Sequence, residues 1–218
     1  SQGRMRDIFE VLAATAAPFQ EVTRCVLDRA SDGAVHQGIA VEVGEYRYQD
    51  IEDLLIQSTQ QVKPGLLVAL DHITDPHNVG AILRSAAAFG ADGLILPERR
   101  SAGIGAVAWK VSAGAAARVP AARVGNLVTA LKKCKDAGYF VVGLDGNADV
   151  DLRDLELATE PMVLVTGAEG DGVSRLVRET CDQIVSIPMT SRVESLNASV
   201  ATAVALYEIA EKRIRAEQ

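Results

Sequence analysis

Arg84 is the residue least like its surroundings. It stands in Val79-Gly80-Ala81-Ile82-Leu83-Arg84-Ser85-Ala86-Ala87-Ala88-Phe89, where its neighbours are almost all apolar or small. A guanidinium in such a helix must reach a partner or a pocket, since burying it unpaired is costly. Two roles stay open at this point: an ion pair with Asp75 or another acid, or work on a ligand. The loop ahead of it runs from Asp71 to Gly80. Its Pro76 suits a helix start, Asn78 is a candidate cap, and Gly90 suits the helix end.

Three more loops hold residues able to do chemistry. Thr166-Gly167-Ala168-Glu169-Gly170-Asp171-Gly172 follows the apolar run Val163-Leu164-Val165. Its glycines let backbone approach a ligand closely, and a helix opening there would favour an anion or carboxylate. No Lys-Ser/Thr pair follows and no G-x-G-x-x-G occurs near a first strand, so neither phosphate-loop fingerprint fits. A plain structural turn remains the alternative. The next loop is Ile187-Pro188-Met189, polar Thr190-Ser191-Arg192-Val193-Glu194, then Ser195-Leu196-Asn197-Ala198-Ser199. Ser195 is a plausible N-cap, and Asn197 falls in the first turn. Small residues at Ala198, Ser199, Ala201, Ala203 and Ala205 allow close packing, which suggests a buried or dimer-contacting helix. Leu144-Asp145-Gly146-Asn147 reads either as a plain tight turn or as a wall of the same pocket.

From Gly65 onward, apolar runs alternate with helical patterns. The pairs are Leu66–Leu70 with Val79–Phe89, and Gly93–Pro97 with Ala106–Ala113. Leu127–Ala137 precedes Tyr139–Leu144. Then come Met162–Thr166 with Val173–Thr180, and Ile184–Ile187 with Ser195–Arg215. This alternation predicts an α/β fold, a mostly parallel sheet with helices on both faces, whose strands read as continuous apolar runs. Ligands bind such sheets at the loops leaving the carboxyl ends of the strands, where all four loops fall. Residues 1 to about 60 are less regular. They predict a helix over Arg4–Leu12, a short strand over Gly38–Val43 and a short helix over Ile51–Gln60, too little for an independent core.

Composition narrows the class. The chain has 218 residues, 48% of them hydrophobic and 23% charged, which is ordinary for a soluble globular protein. No apolar run approaches the ~20 residues needed to span a bilayer, and no signal peptide opens the chain. Cys25, Cys134 and Cys181 are few, odd in number and widely spaced, so neither a disulfide framework nor a metal site is expected, and a reduced cytoplasmic setting fits. The net charge of −7 excludes a generally basic coat for nucleic acid. Yet Arg99, Arg100, Lys110, Arg118, Arg123, Lys132, Lys133 and Lys135 occur with no acid between them. That run is either a solvated surface or a local phosphate-facing patch.

Taken in order, Asp75-Pro76-x-Asn78-x-Gly80-Ala81-x-x-Arg84, Gly167-Ala168-Glu169-Gly170-x-Gly172, and Ile187-Pro188-Met189 with Ser195-Leu196-Asn197-x-Ser199-x-Ala201 resemble the three motifs of the SpoU/TrmH branch of the SPOUT methyltransferases. The resemblance covers about residues 38 to 215. Gly33-Ala34-Val35-His36-Gln37-Gly38-Ile39 and Arg100-Ser101-Ala102 bring it closest to bacterial enzymes that methylate a guanosine ribose of large-subunit (23S) rRNA. It implies S-adenosylmethionine as cofactor, a homodimer, an RNA partner, no metal, and a deep trefoil knot near the carboxyl end. It also implies a SPOUT methyltransferase domain over 65–218, a linker over 44–64, and a partial RNA-binding domain of the L30e type over 1–43. Asn78, Arg84, Glu169, Ser195 and Asn197 would form the catalytic site. Leu144, Gly146, Thr166, Gly167, Gly172, Ile187, Met189 and Leu196 would hold the cofactor.

The implied reaction is attack of a ribose 2′-oxygen on a sulfonium methyl. The resemblance gives Arg84 the role of base, assisted by an RNA phosphate. An arginine pKa above about 12 favours a different one, positioning the ribose and phosphate and stabilising the developing alkoxide. Asn78 would orient Arg84, and Ser195 and Asn197 would shape the pocket. The alternatives are a tRNA 2′-O-methyltransferase of the same family, a non-catalytic RNA-binding SPOUT protein, and a nucleotide-binding enzyme on the same loops.

Overall fold

Alternating residues of the central strands sort the core into two halves. On one face Leu66, Val68, Leu70, Leu94, Leu96, Val142, Leu144, Met162 and Leu164 are buried with Ile82, Leu83, Leu206 and Ile209. On the other, Leu67, Ala69, Ile95, Val141, Val163 and Val165 are buried with Leu54, Leu131 and Val177. Strands covered on both faces must be apolar throughout, which is why they read as unbroken runs.

The structure, a computed structural model, describes all residues except Ser1, Ala16, 32–34, Asp149, Asp171 and 191–194, and the side chains of 2–5. The Gly33-Ala34 portion of the quoted resemblance, Asp171 and the polar stretch 191–194 thus lie outside the described residues. The chain divides into two compact units, Ser1–Glu45 and Tyr46–Gln218.

The first unit contains α1 (Gln2–Thr15) and α2 (Arg24–Ala30). The strand expected over Gly38–Val43 is absent. Its alternation is not matched by burial, since Val41 is 76% and Val43 53% exposed, and no neighbouring strand among the described residues completes a ladder.

The second unit comprises α3 (Ile51–Thr59), β1 (Leu66–Leu70), α4 (Pro76–Ala88), β2 (Gly93–Pro97), α5 (Ala106–Val111), β3 (Ala121–Val124), α6 (Leu127–Asp136), β4 (Phe140–Leu144), β5 (Val150–Asp151), β6 (Met162–Thr166), α7 (Arg175–Thr180), β7 (Gln183–Ser186) and α8 (Ala198–Ala216). The strands lie in the order β3-β2-β1-β6-β4-β7-β5, and every pair is parallel. The helices α4, α5 and α8 cover one face; α3, α6 and α7 cover the other. β3 was not expected. Its Ala-Ala-Arg-Val is short and weakly apolar, and pairing with β2 fixes it. The stretch 44–64, expected as a linker, carries α3 with Ile51, Leu54 and Leu55 buried, and Tyr46 and Tyr48 pack against the core.

Caps differ from the sequence expectation. Asp75, not Asn78, caps α4, accepting the His77 N–H at 2.8 Å with Pro76 in the first turn. Two hydrogen bonds from His77 hold the Asp75 carboxyl below its ordinary value, the backbone N–H first and the ring second. Gly90, with φ at +72°, follows the end of α4 as expected. Far along the chain, the Arg213 guanidinium of α8 donates to the carbonyls of Ala158 (2.8 Å), Pro64 (2.6 Å), Gly65 (3.2 Å) and Glu160 (2.8 Å). It thereby ties α8 to the amino ends of β1 and β6.

Candidate active site

Chain order reverses between β1 and β6, with β2 and β3 to one side and β4 and β7 to the other. Crevices in open α/β sheets form at the carboxyl ends of strands at such a switch. Here three motifs meet through hydrogen bonds. Asn78 Nδ2, from the first turn of α4, donates to Glu169 Oε1 at 3.0 Å. Asn197 Nδ2 donates to the same oxygen at 2.6 Å and to Asn78 Oδ1 at 3.0 Å. The Ala198 N–H adds a weaker bond to Glu169 Oε1 at 3.3 Å.

Asn197 does two jobs at once. Its Oδ1 caps α8, accepting the Ser199 and Val200 N–H groups at 3.0 and 3.3 Å and the Ser199 hydroxyl at 2.6 Å. Its amide nitrogen is thereby free to bind the cluster. An asparagine suits this position because one side chain carries both an acceptor and donors. The cap expected at Ser195 therefore falls two residues later.

Beside this cluster lies a cavity. It is lined by Leu144 and Gly146 after β4, by Thr166, Gly167 and Gly172 at the end of β6, by Ile187 and Met189 after β7, and by Leu196 before α8. These are all eight residues expected to hold a cofactor. Glu169 and Ser195 also face it. Asn78 and Asn197 reach it through Glu169.

Backbone proximity explains the glycines. A Cβ on Gly167 would sit 1.8 Å from the Gly172 carbonyl oxygen. The loop folds back on itself there, with the Gly172 N–H bonded to Ala168 O at 3.0 Å. Gly172 has φ at +64°, and its Cβ would lie 2.6 Å from Asp145 Oδ2. The loop does not open directly into a helix, as the sequence had suggested. α7 begins only at Arg175 and has six residues. The glycines serve close packing of loop on loop.

Arg84 stands apart. It is exposed, and it does not pair with Asp75, whose carboxylate is engaged by His77. It is not among the cavity residues. Six residues beyond Asn78 on α4, it is rotated by about a third of a turn and displaced by ~9 Å along the axis. The hydrogen bonds of the Asn78 amide run to Glu169 and Asn197.

Two buried acids lie outside the site residues expected from the sequence, Asp145, whose turn was an open candidate for the pocket wall, and Asp71. Asp145 borders the cavity and is buried. Its Oδ2 takes a 2.7 Å bond from Arg178 Nη1, and its Oδ1 takes the Asn147 N–H at 2.9 Å. Asp71 is also buried, with Oδ2 accepting the Ser174 N–H at 2.6 Å and Oδ1 2.9 Å from His72 Nδ1. The signal for both was a carboxylate directly after a wholly apolar strand, Leu70-Asp71 and Leu144-Asp145. No group of three or more His, Cys, Asp or Glu among the described residues is placed to hold a metal ion. Nor is any described helix long and apolar enough to cross a membrane.

Residues 65–207 match the model of the SpoU rRNA Methylase family, and residues 1–49 match that of RNA 2′-O ribose methyltransferase substrate binding. An uncharacterized tRNA/rRNA methyltransferase of Mycolicibacterium vanbaalenii is 51% identical over 98% of this chain and 68% of its own length. A counterpart from Mycobacterium leprae is 55% identical over 88% of this chain and 62% of its own. The chain thus spans about two thirds of these relatives. The SpoU methyltransferase AviRb of Streptomyces viridochromogenes, in complex with AdoMet, superposes with a TM-score of 0.69 at 33% identity, covering 78% of this chain and 66% of that one. An AdoMet-bound rRNA methyltransferase from Sinorhizobium meliloti gives 0.75 at 25% identity, covering 96% and 78%.

Proposed function

The chain belongs to the SpoU rRNA methylase family, and from that premise we propose that it transfers a methyl group from S-adenosylmethionine to a ribose 2′-hydroxyl of RNA. The observation that carries this reading is the cavity itself, lined by all eight residues expected at the cofactor and bordered by the Asn78–Glu169–Asn197 cluster. The AdoMet-bound relatives support the choice of cofactor.

When bound, S-adenosylmethionine supplies a methyl already activated on a sulfonium, so no metal is required. The protein's task is alignment and removal of the hydroxyl proton. Among the described residues, two carboxylates, Asp145 and Glu169, border the cavity. Both oxygens of Asp145 are engaged, whereas Glu169 has three donors on Oε1 and none on Oε2 among the described residues. Glu169 Oε2 is therefore the proton acceptor in this reading, and the two asparagines hold it in place. Ser195 shapes the rim.

Arg84 positions the target ribose and phosphate and stabilises the developing alkoxide. Since it lies off the cavity of its own chain, that role calls for a second copy, and the functional unit is a homodimer. An exposed apolar stripe of Val200, Val204 and Tyr207 on α8 supports this. The deep knot, a partial L30e-type region (1–43) and a SPOUT domain (65–218) belong to the same proposal, with α3 of the intervening stretch packed on that domain's core. The substrate is a guanosine of large-subunit rRNA, methylated in the cytoplasm.

Calorimetric titration with S-adenosylmethionine, with NAD and ATP as controls, tests the cofactor. Saturable binding of S-adenosylmethionine alone is expected. Radiolabelled methyl should then appear on unmodified large-subunit rRNA rather than on tRNA. Folded protein that binds no S-adenosylmethionine would overturn the reading. Cofactor binding without transfer to either RNA would leave a non-catalytic RNA-binding protein.

A further inference from the structure

The methyl-transfer reading leaves the basic run of the sequence unused, and resting on that reading we propose that Arg99, Arg100 and Arg123 form a rim that grips the phosphate backbone of the incoming RNA strand. The eight basic residues do not form one patch. Lys133 pairs with Glu52 and Lys135 with Asp182, and Arg118 precedes β3 at the opposite end of the sheet. The three arginines instead come together at the carboxyl end. Strand register sets Arg123 beside Leu96, and the Glu98 N–H donates to Val124 O at 2.9 Å, so the turn bearing Arg99 and Arg100 rises beside the end of β3. All three side-chain-bearing residues are exposed, and none forms an ion pair among the described residues. Glu98 is the only acid on that turn.

The rim is built rather than loosely arrayed. The Arg123 guanidinium lies over the Tyr48 ring, 5.2 Å from its centroid. The Tyr48 hydroxyl accepts the Ile104 N–H at 2.7 Å, which fixes the ring against the same loop. Arg100 has φ at +57°, in the left-handed region that side-chain-bearing residues rarely adopt. The loop is also joined to the site: the Ala102 N–H donates to Ile73 O at 2.8 Å, just ahead of the turn that carries Asn78.

All strands are parallel, so this rim and the cavity open on the same end of the sheet. β3 lies three strand spacings from β6, or ~14 Å, a distance that a few nucleotides span. Guanidinium forks match phosphate oxygens, and a stacked arginine has already given up much of its freedom. A protein of net charge −7 repels RNA at long range, so unpaired positive charge near the site decides where a strand lands.

The test uses the full chain, an Arg99→Ala/Arg100→Ala/Arg123→Ala variant and the matching triple-lysine variant. Binding of transcribed large-subunit rRNA and of polyuridylate is measured against salt. Each lost phosphate contact lowers the slope of log affinity against log salt by about 0.7. The alanine variant should therefore lose about 2 from the slope and bind at least about tenfold more weakly, with unchanged calorimetric binding of S-adenosylmethionine. The lysine variant should recover most of the affinity, which a purely structural role would not produce. Wild-type affinity and slope in the alanine variant, while the parent chain transfers methyl, would overturn the rim alone. A parent chain that neither binds nor methylates RNA would overturn the rim and the methyl-transfer reading together.

Discussion

Replacing Gly167 with alanine should abolish tight cofactor binding while leaving the protein folded. The new Cβ would stand 1.8 Å from the Gly172 carbonyl oxygen and 2.0 Å from its carbon, both backbone atoms. Cβ contacts below 3.0 Å are essentially never seen, so the oxygen must retreat by more than about 1 Å. It cannot do so without opening the turn closed by the Gly172 N–H bond to Ala168, whose net worth is about 1 kcal/mol. Moving Gly172 also disturbs its approach to Asp145, adding strain of ~1–3 kcal/mol at a positive-φ position. Together these amount to about 2–4 kcal/mol in the bound geometry, or roughly 30- to 1,000-fold in affinity. Calorimetry with S-adenosylmethionine reads this directly, and thermal unfolding of the same sample reports the fold. A folded variant that binds as tightly as the parent would refute the reasoning, since a loop able to absorb such a clash is not what shapes the cavity.

Four other outcomes are expected. Glu169→Gln keeps a carbonyl able to accept the bonds from Asn78 and Asn197, so cofactor binding should persist while turnover falls about 10²- to 10⁴-fold; near-parental turnover would exclude Glu169 as proton acceptor. Arg84→Lys keeps the charge but loses the planar fork, so kcat should fall about tenfold or more with cofactor affinity unchanged, and near-normal turnover would argue against the fork. Arg213→Met removes the guanidinium donor from the carbonyls of Ala158, Pro64 and Glu160, leaving Gly65 O only its bond from the Met162 N–H, and should cost about 3–5 kcal/mol of unfolding free energy by denaturant titration. Burial pushes the thiols of Cys134 and Cys181 up to about 12 from 9.0, so the fold favours their neutral forms. Their stabilising effect is complete below pH 9 and is lost as pH rises toward 12, and at neutral pH only exposed Cys25 should react quickly with a thiol reagent.

The parallel architecture was legible because buried strands such as Leu66–Leu70 and Met162–Thr166 leave no polar face to confuse the pattern. The eight residues that the resemblance implies at the cofactor line one cavity, since loops after such strands converge on one end of the sheet. What stayed hidden depends on long-range partners. Ala121–Val124 becomes a strand only because β2 lies beside it, and Gly38–Val43 fails to become one because nothing does. Caps went astray at Asn78 and Ser195 because several small polar residues cluster at each helix start, and only the backbone path selects Asp75 and Asn197. The turn at Asp145 stayed open between a plain turn and a pocket wall, since its partner Arg178 lies 33 positions away. Arg213 sits among charged neighbours that resemble a solvated helix end, and its four carbonyl partners lie 53 to 149 positions away.

The two ends of α8 have opposite duties. At its first residues Asn197 joins the helix to the cavity through side-chain bonds, and some 20 Å further on Arg213 clamps it to main-chain carbonyls. The helix is therefore a strut held at both ends, by side-chain bonds at the chemical end and by main-chain carbonyls at the far one. Losing the Asn197 bonds would disturb the cluster beside the cavity, whereas losing the Arg213 bonds would bare main-chain carbonyls at the amino ends of two central strands. One helix therefore answers for the shape of the site at one end and for the stability of the sheet at the other, and substitutions at its two ends should read out in different assays.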